Sequence, residues 1–149
     1  MPRPGPVLVV MCVGMFLVLL DVTVVNVALP SIGADLGAGP AALPWVVDAY
    51  AVAIGSLLLG GGGVGDRVGH RRVVVTGLAV FGLASVVCAL APTAGVLIAG
   101  RALQGVGAAL LLPGSLAVIT DTHPDRAAQA RALGIWAGVS SLALPAGPL

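Results

Sequence analysis

Two opposite charges stand inside long apolar runs, where a charged group normally has a reason to be. Asp21 interrupts the run from Val7 to Leu29, and Arg101 interrupts the run from Gly95 to Ile119. Each costs about 2.5–3.5 kcal/mol at the centre of a membrane span. Such residues usually face a bundle interior or a water-filled cavity and carry function. An acid whose protonation answers to a nearby, movable cation is the chemistry of proton coupling. The plainer alternative is a structural ion pair tying two helices together. Gln104, three residues from Arg101 on the same helical face, could hold the guanidinium or a substrate. The depths agree. Asp21 lies about 21 Å in from the start of its run, at 1.5 Å per residue. Arg101 lies about 20 Å from that same side in a hydrocarbon core about 30 Å thick. A pair, direct or through water, is geometrically open.

The densest charge lies elsewhere, in Gly62-Gly63-Val64-Gly65-Asp66-Arg67-Val68-Gly69-His70-Arg71-Arg72. Charged or titratable groups threaded with glycine predict a tight turn in water between two spans. Asp66 could cap the following helix or bind Arg67 or Arg71. The arginines could instead serve only topology and phospholipid contact. The glycine run is no phosphate loop, since no Gly-Lys-Ser/Thr follows it. Asp48 and His123 read as solvated, and Trp45 and Tyr50 as interfacial aromatics. Thr23 shares a face with Asn26, which sits about 140° around the helix from Asp21. Span one therefore carries two polar stripes. Cys12 and Cys88 both lie in apolar runs and imply neither a disulfide nor a metal site.

The elements that must position these groups are membrane helices. The chain has 149 residues, 58% hydrophobic and 9% charged, against about 25% charged in a soluble domain. The apolar stretches are continuous rather than alternating, so the expected fold is all-α and not a barrel. Five spans are expected, at about 7–29, 42–61, 73–90, 95–119 and 132–149, after a short N-terminus at 1–6. Pro30 is expected to end the first. A signal peptide starting at Arg3 is disfavoured because the apolar run continues past Asp21 and further spans follow. With this count, Arg3, Arg67, Arg71, Arg72, Arg126 and Arg131 all fall on one side, and the opposite loops hold no Arg. The positive-inside rule then places the N-terminus in the cytoplasm. A net charge of +1 points to no nucleic-acid partner. Gly105 and Gly107 let another helix come close, and Gly134 and Gly138 form a small-xxx-small packing motif.

Three stretches resemble one family. Gly62-x-Val64-Gly65-Asp66-Arg67-x-Gly69-x-Arg71-Arg72 resembles motif A of the major facilitator superfamily, between helices two and three. Arg101-x-x-Gln104-Gly105-x-Gly107-Ala108-Ala109 is similar to its motif B in helix four. Leu20-Asp21-Val22-Thr23-Val24-Val25-Asn26-Val27-Ala28-Leu29-Pro30 is similar to the helix-one motif of the drug:proton antiporters, especially the 14-helix branch. Gly134 through Ala146-Gly147-Pro148 looks like the start of the helix-five motif C. Departures are Gly63, Val68 and His70 in motif A and Pro145 ahead of Gly147.

The resemblance implies a bundle of 12 or 14 helices in two halves working by alternating access. Asp66 and the arginines of its motif would lock the cytoplasmic side, Arg101 would take part in proton coupling, and Asp21 would be the acidic site for proton or cationic substrate. His70 in place of the usual Arg removes a fixed charge from that lock. The expected function is proton-coupled export of lipophilic or cationic drugs across the bacterial inner membrane. No cofactor and no enzymatic chemistry are expected, the proton gradient being the energy source. The partners are a small-molecule substrate, protons, the bilayer and the C-terminal helices of the same reading frame. Five spans do not make a two-half carrier, so the expectation is an N-terminal fragment of a longer protein. The alternatives are a carrier of another solute, or a non-transporting truncated or accessory membrane protein.

Overall fold

The computed structural model describes residues 4–146. The described residues form six helices: α1 (Pro4–Asp35), α2 (Leu43–Val68), α3 (His70–Ala89), α4 (Ala94–Thr122), α5 (Arg126–Ser141) and a short α6 (Ala143–Ala146). The first four are long and apolar enough to cross a membrane. The protein is thus an all-α, multi-pass membrane protein. α5 has 16 residues, begins at Arg126 rather than near 132, and breaks at Leu142.

Two boundaries differ from expectation. Pro30 does not end α1, which runs on to Asp35. A helix in a membrane tolerates the one bond that Pro removes. The stop comes at Gly37, whose φ of +57° turns the chain, with the Ala38 amide donating to the Gly33 carbonyl at 3.0 Å. This pair of features is a glycine C-cap of the Schellman type. Likewise, the charged stretch is no open turn. α2 continues through Gly62 and Gly65 to Val68, and Gly69 alone separates it from α3. Gly69 has φ +99°, a value other residues rarely adopt, so the reversal rests on a single glycine.

Polar residues start the last two long helices. The Val96 amide donates to Thr93 Oγ1 at 3.4 Å at the start of α4, and the Ala128 amide donates to Asp125 Oδ1 at 2.7 Å at the start of α5. These caps satisfy N–H groups that a helix cannot pair internally.

α4 is the central helix. It packs along most of its length between α2 and α3, and α1 meets it over a shorter stretch while also packing on α5 and α6. Glycines set these approaches. A Cβ on Gly105 would stand 2.6 Å from the Tyr50 carbonyl oxygen of α2. One on Gly107 would stand 2.7 Å from the Phe81 amide nitrogen and 2.8 Å from the Gly77 carbonyl oxygen of α3. Small residues let backbones approach where lipid supplies no hydrophobic drive. Met11, Met15, Val18, Val74, Phe81, Leu111 and Ile119 fill the core around α4. By contrast, Cβ atoms on Gly134 and Gly138 would meet nothing within 4 Å, so their face of α5 packs on no described residue.

Candidate functional site

Arg101 and Gln104 point inward from α4, and each is only 1% exposed. Burying a guanidinium this far demands compensation from every side. α1 supplies the countercharge, because Arg101 Nη1 is ion-paired with Asp21 Oδ2. α2 supplies two more contacts. Arg101 Nε donates to the Val46 carbonyl at 3.2 Å, and the guanidinium lies 4.3 Å from the centroid of the Tyr50 ring. Gln104 closes the network. Its Oε1 accepts from Arg101 Nη1 at 2.8 Å, and its Nε2 donates to Asp21 Oδ1 and to Ser85 Oγ, both at 2.9 Å. Ser85, on α3, in turn donates to the Phe81 carbonyl at 2.8 Å. The Cys88 thiol, also on α3, donates to Gln104 Oε1 at 3.4 Å. Four helices therefore converge on one cation and one carboxylate.

Asp21 is the more exposed member, its side chain being 20% exposed while that of Arg101 is 2% exposed. Both carboxylate oxygens accept from α4, so taking up a proton removes the charge that strengthens these bonds. The arrangement couples the charge of one group on α1 to the contact of α1 with α4. Thr23 lies on a different side of α1 and donates to the Ala143 carbonyl of α6 at 3.3 Å, while Asn26 is exposed and donates to the Val22 carbonyl at 2.8 Å. Asp48 is exposed, as expected.

Sequence reasoning brought Asp21, Arg101 and Gln104 into view but missed Tyr50, Ser85 and Cys88. Tyr50 is the clearest correction: it is 6% exposed beneath Arg101 rather than interfacial, while Trp45 is 59% exposed. The available signal was spacing, since Val46 and Tyr50 lie one turn apart on one face of α2.

The motif A residues gather at one end of the bundle. The start of α1, the α2–α3 junction and the end of α4 all reach it, around a cavity of about 510 Å³ lined by Val7, Met11, His70, Arg71, Val74 and Asp121, among others. Asp66 does not cap α3, whose N-cap Gly69 offers no side chain. Among the described residues it pairs across the hinge with His70, Asp66 Oδ1 to His70 Nε2 at 3.3 Å. A Cβ on Gly65 would collide with the His70 ring, which explains a glycine there. Arg67, Arg71 and Arg72 are exposed. Gly147 and Pro148 of the helix-five motif lie outside the described residues.

A bundle of helices long enough to span a membrane, with a buried, hydrogen-bonded charge pair, is the architecture of a polytopic membrane protein. Residues 11–149 match the family model described as Major Facilitator Superfamily, and the chain belongs to that family. It is 44% identical to the methylenomycin A resistance protein of Bacillus subtilis (strain 168), an alignment covering 95% of this chain and 30% of that one. It is 47% identical to the cephamycin export protein CmcT of Amycolatopsis lactamdurans, over 89% of this chain and 27% of that one. It is 45% identical to the puromycin resistance protein pur8 of Streptomyces alboniger, over 93% of this chain and 28% of that one. The chain thus spans under a third of the length of the curated relatives it matches.

Proposed function

We propose that this chain works in a proton-coupled exporter of lipophilic or cationic antimicrobial compounds, contributing its N-terminal helices and the proton-coupling pair. The observation that carries the reading is the Asp21–Arg101–Gln104 network: a carboxylate with limited access, held by a buried cation. An ionised Asp21 binds α1 to α4, and a protonated Asp21 releases that hold. Proton uptake on one side and loss on the other would make the helix contact follow the gradient and so bias a carrier that works by alternating access. Support for the substrate class comes from relatives named for resistance to methylenomycin A and puromycin and for cephamycin export.

In this reading the N-terminus and the Arg-bearing loops face the cytoplasm of a bacterial cell, and Gly62, Gly65, Asp66, Arg67, Gly69, Arg71 and Arg72 form the cytoplasmic gate. The protein has no enzymatic step and no cofactor. Its partners are the transported compound, protons, the bilayer and further helices of the carrier.

The test is Asp21→Asn in the complete product of the gene, assayed by ethidium and puromycin efflux in inside-out vesicles under an imposed pH gradient. Gradient-driven efflux should fall to the level of empty vesicles while the protein stays in the membrane at the parental amount. Efflux at the parental rate would sink the role of Asp21. A parent that moves neither compound would favour a carrier of another solute.

A further inference from the structure

Arg101 is compensated twice, and the two sets of partners sit on different helices. One set is Asp21, on α1. The other is the Val46 carbonyl and the Tyr50 ring, on α2. When Asp21 takes a proton the first set loses its charge, and the guanidinium, 1% exposed in this structure, is left without a countercharge. An unpaired buried cation is costly. What remains to hold it is Gln104 Oε1 on its own helix and, from another helix, the π-face of Tyr50 and one carbonyl dipole; a guanidinium over an aromatic face gains most when it is desolvated.

The packing says which partner stays. Gly105 brings α4 against the Tyr50 carbonyl and Ala53, so α2 and α4 touch backbone to backbone beside the site. α1 meets α4 over a shorter stretch. The α2–α4 contact is therefore the one built not to move. The titratable side chains in contact with the network from α2 and α3 are Tyr50 and Cys88. Among the described residues, α5 and α6 place no charged side chain in ion-pair contact with it.

From this geometry we infer that Tyr50 is a positioning residue that retains Arg101 on α2 when Asp21 is protonated, so that α1 is the helix that leaves. The ring sets how readily Asp21 takes its proton: the better it supports the lone guanidinium, the less acid is needed. This inference rests on reading Asp21 as the proton-carrying group.

The test keeps the shape of the ring and changes its charge distribution. Position 50 is filled in turn by Phe, 4-fluoro-Phe, 3,5-difluoro-Phe and 3,4,5-trifluoro-Phe in the complete product of the gene. Fluorine drains the negative face without changing the packing much. The readout is the infrared C=O band of the protonated carboxylic acid, followed through a pH titration and assigned to Asp21 by its loss in Asp21→Asn. Tyr50→Phe should titrate close to the parent. Increasing fluorination should move the midpoint stepwise to lower pH, reaching roughly a three- to tenfold higher proton concentration for the trifluoro ring. A merely space-filling ring would leave the midpoint where it was, and a flat series overturns the inference. The absence of any titration assignable to Asp21 overturns it as well. Gradient-driven efflux that survives Asp21→Asn is a separate result, and it refutes the proton-coupling reading instead.

Discussion

Gly107→Ala tests whether the close approach of α3 and α4 is what assembles the site. The added methyl would stand 2.7 Å from the Phe81 amide nitrogen, 2.8 Å from the Gly77 carbonyl oxygen and 2.9 Å from the Phe81 Cβ. None of these is the loose end of a side chain, so the helices themselves must part. Bringing the tightest approach to ordinary contact near 3.4 Å means an opening of about 0.7 Å, and a gap of 0.5–1 Å already forfeits about a quarter to a half of the dispersion attraction across it. Overpacking of this kind costs about 1–3 kcal/mol, against which the better helix propensity of Ala returns about 1 kcal/mol. The same opening stretches the Gln104–Ser85 hydrogen bond, now 2.9 Å, beyond its useful range. The assay is thermal unfolding of the purified complete gene product in detergent, beside Gly134→Ala and Gly138→Ala. At those two positions a methyl meets nothing within 4 Å among the described residues, so no clash with them offsets the propensity gain. Gly107→Ala should melt several degrees below both. A Gly107→Ala protein as stable as the Gly134→Ala one would refute the claim that α3 and α4 are in backbone contact at this point.

The remaining tests bear on the network and on α5. Gln104→Leu removes the donor shared by Asp21 Oδ1 and Ser85 Oγ and the acceptor of buried Arg101 Nη1, and a buried group left unpaired costs about 1–3 kcal/mol. The purified complete gene product carrying Gln104→Leu should therefore unfold at a lower temperature than the parent. An unchanged unfolding temperature would contradict the hydrogen-bond assignment. Asp125→Ala removes the cap of α5 and should destabilise that helix by about 0.5–2 kcal/mol, seen as faster amide hydrogen exchange over residues 126–130. Unchanged exchange would mean that the cap contributes nothing.

How legible the site was depended on what kind of signal each residue leaves. Asp21 and Arg101 were visible because a charge among apolar residues is an anomaly that hydrocarbon makes expensive. Gln104 followed from helical spacing on the same face. Tyr50, Ser85 and Cys88 were not visible, since an aromatic, a hydroxyl and a thiol in an apolar run are each ordinary there. They acquire a role only when Arg101 and Gln104 arrive from another helix. The GxxxG of α5 shows the converse: Gly134 and Gly138 carry a packing pattern that no described residue answers. Pattern states the capacity to pack, and only a neighbour realises it.

The boundaries divide in the same way. Apolar run length alone determined an all-helical membrane protein, because the bilayer imposes a fixed thickness on whatever crosses it. It could not decide that Pro30 would be carried inside α1, nor that α2 would stay helical through its glycines to Val68. Those outcomes depend on backbone bonds that a breaker weakens without forbidding, and here Gly37 and Gly69, at positive φ, mark the chain's actual turns. Above all, tertiary structure decided the partnership of Asp21 with Arg101. Residues eighty positions apart meet because α4 lies at the centre, and because glycines at 105 and 107 let α2 and α3 close around it.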